Sequence, residues 1–161
     1  MKTNLSFSYN LTENFSLLSD EHQQLVKAAR KATDKAYAPY SRFHVGAAAL
    51  LSDGTIHTSN NQENAAFPSG VCAEASLITF LSANFLDKEI IALAIAARNA
   101  EFSQWLALSP CGNCRQILFE QEKKQSNKIL VILPLENERF AVLQNSAVLL
   151  PFAFSSDNLA K

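Results

Sequence analysis

The sequence predicts an α/β domain, a three-layer α/β/α sandwich around a mixed sheet, and three observations lead there. From residue 19 onward, segments of helical length alternate with short apolar runs of strand length. One apolar run is followed by Asp53-Gly54, a dipeptide that closes tight hairpins, so two antiparallel strands precede the alternation. The chain has 161 residues, 48% of them hydrophobic, which is enough for one buried core and short for two.

Each element has its own local reason. After a polar and aromatic extension, residues 1–18, the segment 19–36 places Leu25, Val26, Ala29, Ala32 and Ala36 at helical spacing. Asp20 and Glu21 lie in its first turn, where the positive end of the helix dipole favours them, and Pro39 closes the segment. Residues 43–51 form a continuous small-apolar strand, and residues 55–58 return after the turn. A polar loop over 60–70 leads to a helix over 72–85. A strand over 90–97 follows, apolar enough to be buried on both faces. Pro110 opens a helix that runs to about Lys124, because a missing N–H costs nothing in a first turn. Strands over 129–133 and 140–150 complete the sheet. No internal repeat is present, so residues 19–161 read as a single domain.

Composition narrows the function. Lys+Arg 14 against Asp+Glu 15 leaves a formal net charge of -1, which provides no cationic track for nucleic acid or an anionic membrane. A small, nearly neutral ligand fits better. The longest apolar runs, 45–51 and 90–97, fall well short of the roughly 20 residues that span a bilayer. Three cysteines cannot all be paired in disulfides, and residues 1–9 lack the apolar core and cleavage pattern of a signal peptide, so a reducing, cytoplasmic setting is expected.

All the cysteine is spent in two segments, Cys72-Ala73-Glu74 and Pro110-Cys111-Gly112-Asn113-Cys114. Cys111 and Cys114, at i and i+3, share one face of a first helical turn, where two thiolates can grip one metal ion. Isolated cysteines are often buried as small hydrophobes; the third cysteine tips the balance towards metal. Three thiolates leave one tetrahedral position open on zinc, which distinguishes catalytic from structural sites. Helix positions two apart point about 200° away from each other, so Glu74 reaches that position only if Cys72 is the cap residue. A glutamate in a first turn is also favoured simply by the helix dipole. Beside an open zinc position, however, a carboxylate that does not bind the metal can perform general acid and base work.

These segments resemble the signature of the cytidine deaminases. The resemblance extends to Ala38-Pro39-Tyr40-Ser41-Arg42-Phe43-His44-Val45-Gly46-Ala47-Ala48, to Asn61-Gln62-Glu63-Asn64-Ala65-Ala66-Phe67 and to Leu149-Leu150-Pro151-Phe152-Ala153-Phe154, in family order, with residues 1–18 outside it. It implies a zinc-dependent hydrolase that converts cytidine and deoxycytidine to the uridine nucleosides. Cys72, Cys111 and Cys114 would be the zinc ligands and Glu74 the catalytic proton shuttle. Phe43 would stack on the pyrimidine, Asn61 and Glu63 would hydrogen-bond the ribose, and the Ala73 N–H would hold the ring carbonyl. It further implies a homotetramer in which Phe154 completes a neighbour's pocket. One position departs from the pattern: Ala75 stands where close relatives with three cysteines have arginine, which leaves Arg115, or else Arg42, to offset the charge of the thiolates. His44, next to Phe43, is placed to reach the mouth of the site. Two rival readings remain open: deamination of another small amino-heterocycle such as blasticidin S, and a non-catalytic structural zinc site.

Overall fold

The computed structural model describes residues 1–101 and 104–159; the expected domain end at residue 161 lies outside them. Among the described residues the strands are β1 (Asn10–Thr12), β2 (Phe43–Leu51), β3 (Ile56–Asn60), β4 (Ile90–Asn99), β5 (Leu130–Pro134) and β6 (Phe140–Leu143). They form one sheet in the order β1-β6-β5-β4-β2-β3, parallel only between β4 and β5 and antiparallel elsewhere. The parallel step needs a crossover, and the last of the helices α1 (Asp20–Ala32), α2 (Ala73–Asn84) and α3 (Gly112–Lys124) supplies it. The mixed three-layer α/β sandwich expected from the sequence is therefore the observed architecture.

Strand alternation sorts the side chains into two cores. Ala47, Ala49, Leu51, Leu93, Ile95, Val131 and Leu133 meet Leu77, Ile78 and Leu81 of α2 and Leu118 of α3. Ala48, Leu50, Ala92, Ala94, Ala96 and Ile132 turn the other way, towards Leu25, Val26 and Ala29 of α1. Helices on both faces explain why β2 and β4 read as continuous apolar runs. At Gly46 the approach of α1 is closest: a Cβ there would lie 2.1 Å from the Ala29 carbonyl oxygen, so the contact requires glycine. The hairpin turn behaves as its sequence indicated, with Gly54 at φ +83° and the Asp53 carboxylate accepting the Thr55 N–H at 3.0 Å.

Three segments differ from expectation. The strand over 140–150 ends at Leu143, and Ser146–Leu149 forms a 3-10 turn. The reason is competition from side chains: Asn145 accepts the Val148 N–H at 3.2 Å, and the buried Glu122 carboxylate accepts the Ser146 N–H at 2.7 Å and its hydroxyl at 3.0 Å. The polar stretch 60–70 is tied down near its start, where Gln62 bridges both Tyr37 and Val71, the residue before Cys72. Finally, the extension joins the sheet from Asn10 on. Phe15 packs edge-on against Phe140, and the Arg30 guanidinium lies 5.3 Å from the Phe15 ring and 4.8 Å from Trp105. No helix among the described residues is long and apolar enough to cross a membrane.

Candidate active site

Two helices begin at cysteines. Cys72 is the N-cap of α2 and Cys111 the N-cap of α3, both in extended backbone conformation, and the Cys72 side chain makes no bond to its own helix. The two sulfurs thus lie beside the unpaired N–H groups of two first turns, and Cys111 also meets the Cys114 thiol of α3. Cys114, in the first turn of α3, is fully buried. The Cys111 sulfur lies 3.7 Å from that of Cys72 and 3.5 Å from that of Cys114, and all three fall within 4.8 Å of one another. Three ligands of a tetrahedral zinc at Zn–S of about 2.3 Å are about 3.8 Å apart, so this triangle has the size of a zinc site.

Burial is the largest influence on the titratable groups of this cluster. Burial pushes the Cys72 thiol up, with the neighbouring Cys111 adding to the rise. Burial and then the Glu74 carboxylate do the same to Cys114. At Cys111, burial works in the same direction but is outweighed by the Cys114 N–H and thiol, and the net shift is downward. Glu74 is 4% exposed, and burial raises its carboxyl above the usual range. A divalent cation would favour all three thiolates directly, against the upward shifts of Cys72 and Cys114 and in line with the downward shift of Cys111.

Because Cys72 is the cap, Glu74 falls in the first turn of α2 and lines the same cavity as Cys72 and Cys111. This cavity, of about 400 Å³, also takes in Phe43, Asn61, Glu63 and Ala73. The Asn61 side chain is engaged with the start of β2: Oδ1 accepts the Val45 N–H at 2.8 Å, and Nδ2 donates to the Phe43 carbonyl at 2.9 Å. It thereby holds in place the strand end from which Phe43 projects. The Glu63 carboxylate accepts the N–H groups of Tyr40 at 2.9 Å and Ser41 at 3.3 Å. The Ser41 hydroxyl, ahead of these N–H donors, holds Glu63 below the usual carboxylate range. Ser41 and Val45, from the segment around Phe43 that resembles the family, complete the lining with Leu108 and Ser109, which lie outside every motif of the sequence. Only the apolar-polar run just before Pro110 could have pointed to the last two.

Other expected residues lie elsewhere. Phe154 is exposed and lines a separate cavity of about 470 Å³ on the outer side of α2 and α3, where Gln116 donates to its carbonyl at 2.9 Å. Arg115, expected to offset the thiolates, instead donates to the Pro110 carbonyl at 2.8 Å and the Leu149 carbonyl at 3.1 Å. A helical side chain leans back towards the N-terminus, which brings the guanidinium to the carbonyl of Pro110, just before the cap. Arg42 pairs with Glu101. Neither guanidinium bonds a cysteine sulfur among the described residues, and Ala75 is buried. His44 points its Nδ1 at the Thr33 carbonyl, 3.3 Å away at the end of α1, and does not line the cavity.

Comparison with known proteins follows the same geometry. A family profile described as the cytidine and deoxycytidylate deaminase zinc-binding region matches residues 19–128. A cytidine deaminase of Halalkalibacterium halodurans is 32% identical over 139 residues, covering 86% of this chain and 98% of that protein. One of Mycobacterium tuberculosis is 36% identical over 133 residues, covering 83% and 89%. Among solved structures, cytidine deaminase from Burkholderia pseudomallei superposes with a TM-score of 0.68 at 32% identity, covering 83% of this chain and 98% of that one. With three sulfurs at zinc spacing and a buried glutamate in the same cavity, the chain belongs to the cytidine and deoxycytidylate deaminase zinc-binding family.

Proposed function

We propose that this chain is a zinc-dependent hydrolase that deaminates cytidine and deoxycytidine to uridine and deoxyuridine, releasing ammonia. The observation that supports it best is the joint placement of Glu74 with Cys72 and Cys111, two corners of the sulfur triangle, in a cavity that also takes in Asn61 and Glu63. Cys72, Cys111 and Cys114 would hold zinc, which when bound would supply the Lewis acidity that makes water nucleophilic near neutral pH. Glu74 takes the proton of the attacking water, delivers it to N3 of the pyrimidine, and moves the next proton to the amine that leaves C4. Burial of its carboxyl raises its proton affinity and suits it to a group that must both take and give a proton.

The remaining residues orient the substrate. The Ala73 N–H, one of the donors left unpaired by the start of α2, holds the ring carbonyl. Phe43 stacks on the base. The two backbone bonds of Glu63 both fall on Oε2, which leaves Oε1 for a ribose hydroxyl, and Asn61 retains its second amide hydrogen for another. That ribose pair favours a nucleoside over an amino-heterocycle without a sugar. The assembly is a homotetramer in which Phe154, exposed on each subunit, enters a neighbour's pocket, and the free thiols suit a cytoplasmic setting.

The direct test is ultraviolet monitoring of cytidine turnover beside a zinc assay on the same preparation. One zinc per subunit with cytidine consumed supports the reading. Bound zinc without turnover of cytidine or deoxycytidine would mean a different amino-heterocycle as substrate if blasticidin S is consumed instead, and a structural metal site if it is not.

A further inference from the structure

The alternation that makes β1 a strand does not stop at Asn10. Leu5, Phe7, Tyr9 and Leu11 alternate with Ser6, Ser8, Asn10 and Thr12, a period of two over eight residues. Only Asn10–Thr12 is paired, in the register Asn10↔Val142, Leu11↔Ala141 and Thr12↔Phe140. Running back towards residue 4, the strand needs β6 to continue beyond Leu143. There β6 ends, because Asn145 and Glu122 draw the chain into a 3-10 turn. Residues 4–9 thus run past the end of their partner within the chain, and Leu5, Phe7 and Tyr9 are all exposed.

β1 is also the edge strand of the sheet, so its outer N–H and C=O groups face solvent. Soluble proteins protect such edges with lysine, proline, bulges or inward charges. Residues 3–12 contain no charged residue, no proline and no glycine, which is the composition of a segment that pairs with another strand.

We propose that this segment pairs, antiparallel and about a two-fold axis, with the same segment of a second copy of the chain. The segment is its own complement. An axis through Phe7 sets Leu5 opposite Tyr9 of the second copy, and an axis through Ser8 sets Phe7 opposite Tyr9 and Leu5 opposite Leu11. Either way apolar residues meet apolar residues on one face. Charge selects the direction. Lys2 and Glu13 flank the uncharged stretch, so antiparallel pairing brings each Lys2 within one residue of the position facing Glu13, whereas parallel pairing stacks like charges. A formal net charge of -1 leaves little repulsion between copies. This contact is separate from the active-site cavity and from the face that bears Phe154.

The experiment compares the full chain with a Phe7→Lys, Tyr9→Lys double variant by sedimentation velocity, with hydrogen exchange on both. The expected result is a particle mass at least twofold lower in the variant. Every second amide of residues 4–9 should be protected in the wild type and exposed in the variant, while cytidine turnover per subunit stays unchanged. Equal masses overturn the proposal, as do amides of 4–9 that exchange freely in the wild type. Protection that persists in a particle of unchanged mass also overturns it, since the strand would then be folding back on its own subunit.

Discussion

The two faces of the sheet are built from the same strands yet do different work. On the face covered by α2 and α3, the helices begin at Cys72 and Cys111, and their first turns converge on one cavity. On the face covered by α1, the contact is small side chain against backbone: Gly46 beneath Ala29, and Ala48, Ala94 and Ala96 beneath Leu25 and Val26. Strand alternation makes this separation possible, because neighbouring residues of β2 report to opposite faces. Chemistry on one side can therefore be removed without loosening the scaffold, and the scaffold can be strained without removing the chemistry.

The sharpest way to break the contrast is Cys114→Ala. Cys114 is the fully buried corner of the sulfur triangle. Its loss should abolish zinc binding and take turnover to background, as measured by metal analysis and the ultraviolet assay. A variant that keeps one zinc per subunit would remove Cys114 from the ligand set. Next in size is Glu74→Gln, which preserves shape and zinc but cannot accept a proton; kcat should fall about 10²–10⁴-fold at unchanged metal content. Wild-type-like turnover in that variant would assign the proton transfers to another group.

The opposite face predicts the opposite pattern. Gly46→Ala forces a methyl into the Ala29 carbonyl, and overpacking of this kind costs about 1–3 kcal/mol. For a chain of this length, that lowers the melting temperature by roughly 2–4 °C per kcal/mol. Zinc stoichiometry and kcat at 25 °C should be unchanged. If kcat falls while the midpoint does not, the two faces are coupled through β2 and the separation argued above fails.

The smallest effect concerns Glu89, in the connection between α2 and β4. Its carboxylate accepts the Ser126 N–H at 2.7 Å and bonds Asn127, and the Ser126 N–H, ahead of Asn127, lowers its pKa. A group with a depressed folded pKa contributes stability above its unfolded pKa, near 4.3, and loses it as pH falls through the folded value. The difference in melting temperature between wild type and Glu89→Gln should therefore be present at pH 7, shrink as pH falls below the unfolded pKa near 4.3, and vanish once pH lies below the lowered folded value. A difference that persists at low pH would mean that the side-chain geometry matters and the charge does not.

Much of this protein is decided locally and could be read in one dimension. The apolar runs of β2 and β4, the Asp53-Gly54 turn, the first-turn acids of α1 and the two cysteine segments each depend on a few adjacent residues, and each formed close to its expected place. The requirement that Cys72 be a cap residue followed from helix geometry alone, and Cys72 is the cap. Contacts between residues distant in sequence were settled only by the fold. Arg115 meets the Pro110 and Leu149 carbonyls because the fold brings the residue before the α3 cap and the end of the 3-10 turn within its reach, and the Leu149 contact is one that no local pattern announces. The strand expected over 140–150 is cut at Leu143 because the Glu122 carboxylate, 24 residues before Ser146 in sequence, satisfies the Ser146 N–H. Asn61, a loop residue by composition, acts as a bracket for β2 because folding brings the Phe43 carbonyl and the Val45 N–H to its two ends. Propensity and capping are short-range and additive along the chain, whereas the pairing of a buried polar group is chosen from whatever the tertiary fold delivers, since leaving it unpaired costs more than any local preference.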